Sequence, residues 1–292
     1  MDTIVYLGIF VITLVLCIAY ACCGSALTMP SMFISSRHNA TCLYPSYAEM
    51  EQKILIAPYF ARMSKPDLFA RGADSINGYI NKYITNLLVF TDKEKRILRS
   101  LAGECDVILS HYPNITALPW KFAKVSLHIE LGWPHTIGDT IVLSDSYFTD
   151  SVTQMLITMI HEKIHVYQRA YPEYTKRCIL QYMPYRIYSK RSIIPLLANN
   201  PDLDDYVYLY KDIPVYSGYS SRYPKNISHV YLYTIPKDAT TSYMMIPRSD
   251  IDLDEAIRQV DHPYEVMAEY IAYILLGKLE NADMAEWMTT YL

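Results

Sequence analysis

The chain has 292 residues, 51% of them hydrophobic and 19% charged, with a formal net charge of −4. That length and apolar content exclude a disordered chain and suffice to bury a large core. An acidic balance with no basic patch excludes a nucleic-acid partner.

The first element is apolar throughout: residues 4–23 carry no charged side chain, and about 20 apolar residues can span a lipid bilayer as a helix. The leading charge is Asp2 rather than a basic cluster, and the run exceeds the apolar region of a secretory signal. A retained N-terminal transmembrane anchor is therefore expected within residues 1–28. The nearest basic residues, Arg37 and Lys53, follow the span and place the remainder on the cytoplasmic side. The Asn-x-Ser/Thr triplets at Asn39, Asn114 and Asn226 leave the opposite side open. Cys42, Cys105 and Cys178 are too scattered for a disulfide framework or a zinc finger.

Residues 29–110 read as a linker followed by a helical region. Apolar residues recur at three- and four-residue steps over 48–63, 65–88 and 91–109, with Thr91 or Asp92 available as a cap for the last run. From Lys121 the period changes. KFAKVSLHIELGW alternates, GWPHTIGD is turn chemistry and DTIVLSDSYF is a short strand, which together predict a hairpin or small sheet. His128 in a strand and His135 in a turn are expected to be structural or exposed, with His135 near a cleft mouth. A helix follows over residues 152–170, opened by a capping-box pattern at Ser151 and Gln154, with Pro172 marking its exit.

Half of the chain's 28 tyrosines and eight of its 16 prolines fall in residues 171–247. The composition predicts extended segments and ordered loops, with a strand at 230–235. Helix returns in DHPYEVMAEYIAYILLGKLEN, where Pro263 suits the first helical position, and the chain finishes in the short amphipathic DMAEWMTTYL. The expected fold class is α+β.

Within the 152–170 helix stands His161-Glu162-Lys163-Ile164-His165. Four residues turn a helix by about 400°, so His161 and His165 project from one face and can share one divalent ion. Glu162 lies beside them, where a base for a metal-bound water belongs. An exposed charged helix face would account for Glu162 and Lys163. It does not account for Met155, Leu156, Ile157, Met159, Ile160 and Ile164, which make the helix mostly buried and oblige its histidines to find partners. A catalytic zinc takes three protein ligands, and the motif supplies two.

HExxH resembles the signature of the zincin metallopeptidases. The metzincin continuation is missing, because Gln168 and Tyr171 stand where its Gly and third His would be. The gluzincin branch draws its third ligand from a later helix, and Glu265-Val266-Met267-Ala268-Glu269 is similar to the E-x-x-A-E element of anthrax-lethal-factor-like peptidases, where thermolysin-like enzymes carry E-x-x-x-D. The resemblance implies one Zn2+ held by His161, His165 and Glu265, Glu162 as the catalytic base, and Glu269 as partner of a ligand imidazole. His262, Glu269 and His229 are rivals for the third ligand. It also implies a zincin-like catalytic region over residues 111–292, with 171–250 as a Tyr/Pro-rich insertion, and DTIVLSDSYF as an edge strand that pairs with an extended peptide. His229 or Tyr231 is the expected transition-state stabiliser. HEKIHVYQR is further similar to metallopeptidases of large DNA viruses and algae. The expected function is a membrane-anchored zinc endopeptidase acting on a peptide or protein through a zinc-bound water. The alternative is a membrane-anchored, virion-associated interaction protein on the same scaffold, whose zinc is a brace with four protein ligands.

Overall fold

Capping chemistry sets the helical region. β1 (Cys42–Leu43) leads into α1 (Tyr47–Ile56), α2 (Pro58–Ala61), α3 (Lys65–Ala70) and α4 (Ile76–Thr85), then β2 (Leu87–Leu88) and α5 (Asp92–Ile108). At α1, α3 and α5 a Ser or Thr accepts from the N–H three residues on, and Glu49, Asp67 and Glu94 reach back to the cap backbone. Two otherwise unmatched donors are thereby satisfied at each start. These elements belong to a computed structural model that describes residues 40–190, 196–234, 244–245 and 262–292. The apolar run at 4–23 lies outside the described residues; among those described, no helix is long and apolar enough to cross a membrane.

After the short α6 (Pro113–Thr116), β3 (Trp120–Val125), β4 (His135–Ile137) and β5 (Thr140–Leu143) complete a first sheet. Its order is β1-β3-β5-β4, with β2 paired to β3. β3 runs parallel to β5, and β4 forms an antiparallel hairpin with β5. The expected edge strand is therefore an interior one. All four residues of β5 are buried, the pattern of a strand covered on both faces. The free edge on this side is β4, which also contains His135. That histidine takes the structural of its two expected roles, buried between Tyr83 Oη (2.6 Å) and the Trp133 carbonyl (2.9 Å), though in a strand rather than in a turn at a cleft mouth. The β3 strand stops at Val125, so His128 sits in an exposed turn rather than in a strand.

Alternation along the strands divides the interior in two. Phe122, Ile141 and Leu143 join Leu98 and Leu101 of α5 and Ile160 and Ile164 of α7 (Val152–Ala170). Ala123, Val125 and Val142 join Met50 and Ile54 of α1 and Tyr79 and Tyr83 of α4. Pro172 does not open an extended region but occupies the first turn of another helix, α8 (Pro172–Gln181), where its missing N–H costs nothing.

The Tyr/Pro-rich segment folds into a second, antiparallel sheet of β6 (Tyr185–Lys190), β7 (Tyr206–Tyr210), β8 (Ile213–Tyr219), β9 (Val230–Thr234) and β10 (Met244–Met245), paired in sequence order. Lys211 and Asp212, both at positive φ, form the two-residue turn between β7 and β8. Between β6 and β7 the chain bridges to β8 at Leu197. It then runs through residues 199–205 as a strap, tied to α2 and α3 on one side and to α7 on the other.

α9 (Pro263–Leu275) and α10 (Ala282–Tyr291) close the molecule. Met267 and Ile271 of α9 share a core with Ile160 and Ile164 of α7, and all four are fully buried. Each such burial contributes about 1.5–3 kcal/mol. This seam fixes α9 across α7 and decides which α9 side chains meet the His161-Glu162-x-x-His165 run.

Candidate metal centre

His161 and His165, one turn apart on α7, bring their Nε2 atoms to 3.0 Å. Glu265, in the first turn of α9, places Oε2 3.2 Å from His161 Nε2 and 3.5 Å from His165 Nε2. Ligands about 2.0–2.1 Å from a tetrahedral zinc stand about 3.3 Å apart, so the observed separations match three corners of that polyhedron. Among the described residues, these are the only three His, Cys, Asp or Glu side chains that gather within metal-binding reach. The carboxylate expected from 100 residues downstream is the one that arrives.

Two of the three side chains are held from behind. Gln168 Nε2 donates to the Tyr264 carbonyl (2.9 Å), which turns Gln168 Oε1 toward His165 Nδ1 at 2.8 Å. His165 therefore donates through Nδ1 and directs its Nε2 lone pair at the cluster. Asn200 of the strap donates to Glu265 Oε1 (2.9 Å). Glu269, expected to orient a ligand imidazole, lies one turn further along α9; for His165 that role belongs to Gln168.

Electrostatics favour positive charge at this point. Burial would lower the His165 imidazole, but Asp202 and Glu265 raise it to about 10. Burial would likewise raise the Glu265 carboxyl, yet His165 and His161 hold it well below the ordinary range. Two imidazole nitrogens and a carboxylate oxygen converge within 3.5 Å, a donor set whose type and spacing fit a divalent metal such as zinc. His165 and Glu265 are buried, while the His161 side chain keeps 21% of its surface exposed and gives the cluster an opening to solvent.

Glu162 is buried, and its Oε2 has no hydrogen-bond partner within the protein. Burial first, then the negative charges of Asp202 and Glu265, push its carboxyl well above the usual range against the pull of His165 and Arg169. A buried carboxyl oxygen without a protein partner calls for an explanation, and this one belongs to the residue next to His161.

Of the remaining expected residues, His262 is the N-cap of α9. Its Nε2 meets Asp204 Oδ1 at 3.1 Å and its Nδ1 accepts from the Tyr264 N–H, so it is not a ligand. His229 and Tyr231 do not join the cluster. His229 precedes β9, and Tyr231, on β9, is 45% exposed; no hydrogen bond links either to the three ligands among the described residues. A cluster fixed by α7 and α9 is reached from the 171–250 segment by the strap instead. Asp202 accepts from Thr136 N–H (3.0 Å) and from Arg169 Nη2 (3.1 Å), joining the free edge of β4 to the turn after His165.

A cavity of about 1070 Å³ adjoins the cluster. Gln168, Arg169, Asp202 and Tyr264 form the shared wall, and none of the three ligands lines the cavity.

Gln168 and Asn200 are the functional residues that the sequence did not single out for these roles. Gln168 could have been found from its spacing, since a residue three past His165 lies on the same helix face. Asn200 carries no local signal. No protein-family model, no curated protein and no solved structure matches the chain.

Proposed function

We propose that the chain is a zinc-dependent metallopeptidase of gluzincin type, with α7 and α9 as the zinc and glutamate helices of a zincin-like core. The observation that carries this reading is the convergence of three protein ligands and no fourth among the described residues. Three ligands leave a position open to water or substrate, the pattern of a catalytic rather than a structural zinc.

His161, His165 and Glu265 would hold the ion. Bound there, zinc supplies Lewis acidity toward a scissile carbonyl and makes water acidic near neutral pH. Glu162 takes a proton from water through its unpartnered oxygen and returns it to the leaving amine. A carboxyl raised by burial is suited to both directions of that transfer. Gln168 keeps His165 in the tautomer that presents Nε2. A peptide reaches the cluster from the side on which His161 is exposed. The reading includes a bilayer anchor at residues 4–23, supported by that uncharged apolar run.

A second reading, an interaction protein on the same scaffold with zinc as a brace, draws support from Asp202: its carboxylate occupies the outward N–H of β4 to which a peptide would pair.

Elemental analysis of the purified full chain, with mass-spectrometric readout of a mixed peptide library, separates the readings. The expected result is one zinc per chain and cleavage. Glu162→Gln should retain zinc and lose about 10²–10⁴-fold in rate, and His161→Ala should lose the metal. Zinc without cleavage selects the brace, and a wild-type chain that takes up no zinc overturns both.

A further inference from the structure

Glu265 divides its two oxygens between different partners. Oε2 faces the imidazoles, whereas Oε1 accepts from Asn200 Nδ2 at 2.9 Å. The Asn200 amide has only one workable orientation, because the Asp202 N–H donates to its Oδ1 at 2.8 Å. That turn commits Oδ1 within the strap and leaves the NH2 for Glu265.

The strap itself is rigidly anchored. Asn199, the preceding residue, donates through N–H and Nδ2 to the two oxygens of buried Asp67 (2.9 and 2.6 Å), and its carbonyl accepts from Arg71 Nη2 (2.9 Å). Arg71 in turn makes a two-pronged pair with buried Glu130, at 2.9 Å on each prong. From Asn200 onward, alternate side chains secure successive parts of the centre. Asn200 holds the ligand carboxylate, Asp202 holds Arg169 one turn past His165, and Asp204 holds His262 at the start of the helix that carries Glu265.

We infer that Asn200 is a positioning residue that restricts Glu265 to ligation through Oε2 alone, keeping a coordination position free for substrate or water. The inference rests on the metallopeptidase reading only in taking the cluster to bind a metal. A carboxylate with both oxygens free closes on an ion through two atoms and fills an extra position; a donor on one oxygen prevents this.

The test uses the full chain with zinc and with cobalt(II) as probes. Asn200→Ala removes both the turn and the donor. Asn200→Ser keeps a hydroxyl able to accept from the Asp202 N–H but too short to reach Glu265. Both variants should weaken zinc binding by about 10–100-fold in chelator competition. Both should also weaken the visible absorption of the cobalt form, since added coordination lowers the intensity typical of four-coordinate cobalt. The chelator-treated variants should still unfold cooperatively, with the melting temperature lowered by only a few degrees, less in Asn200→Ser, which keeps the turn. Wild-type zinc affinity and an unchanged cobalt spectrum in Asn200→Ala overturn the inference. So does recovery of both in Asn200→Ser, which would assign the effect to the turn. A wild-type chain that binds neither metal defeats the metal reading itself, a separate outcome.

Discussion

Replacing Glu130 by Gln is the sharpest test of the anchorage beneath the metal centre. Glu130 is buried and accepts from Arg71 through both oxygens and from Tyr59 and Tyr79 at 2.6 Å each. Burial alone would raise its carboxyl, but the Arg71 guanidinium dominates and holds it at about 2, against an ordinary 4.5. At about 1.4 kcal/mol per pH unit, that gap amounts to about 3 kcal/mol of stability at neutral pH. The figure agrees with the roughly 3–5 kcal/mol lost when one member of a buried ion pair is removed. Gln keeps the shape and one acceptor oxygen, but its NH2 must face an Arg71 donor, so the substitution removes the charge together with one hydrogen bond. Because the folded-state value is depressed, the contribution is fully present above pH 4.5 and is lost as pH falls toward 2. Urea unfolding of wild type and variant should therefore differ by about 3 kcal/mol at pH 7 and by roughly half of that at pH 3. A difference below about 1 kcal/mol at pH 7, or one that does not narrow on acidification, would refute the assignment of Glu130 as a charged, Arg71-paired brace.

Two further substitutions probe other levels. Gln168→Ala frees the His165 ring to adopt either tautomer and should lower zinc affinity by about 10–100-fold in chelator competition, while the lost buried hydrogen bonds cost the metal-free chain about 1–3 kcal/mol in urea unfolding. Thr91→Ala removes the side-chain acceptor of the α5 capping box and should cost about 1 kcal/mol in urea unfolding, with no effect on metal uptake.

The parts of the fold that local chemistry specifies were legible from the residues. Ser151, the apolar period and the placement of His161 and His165 sufficed to bound α7, and Pro263 marked the start of α9. The arrival of Glu265 beside the two histidines was legible only because it stands in a recognisable element. Helix geometry cannot say which distant carboxylate a packing seam will deliver, and here that choice was made by Met267 and Ile271 against Ile160 and Ile164. Pro172 marked the end of α7 correctly, but the helix it opens was missed because a proline that ends one helix can equally begin the next. The strand at 140–143 was found but its edge position was misread, because a short apolar run such as Ile141-Val142-Leu143 looks alike at an edge and in an interior. The β7–β8 hairpin escaped notice because Lys211-Asp212 lacks the Asn or Gly that ordinarily announces positive φ. Asn200 was invisible: its role depends on a strap whose course is set by Asp67 and Arg71, well over a hundred residues earlier in the chain.

The Thr136–Asp202 contact also bears on behaviour at high concentration. β4 has three residues, and its central N–H is turned outward from the sheet. A bare rim of that kind would recruit strands from neighbouring molecules and seed aggregation. The strap's carboxylate already sits on that donor, so the central N–H of the rim is not available to a neighbouring strand.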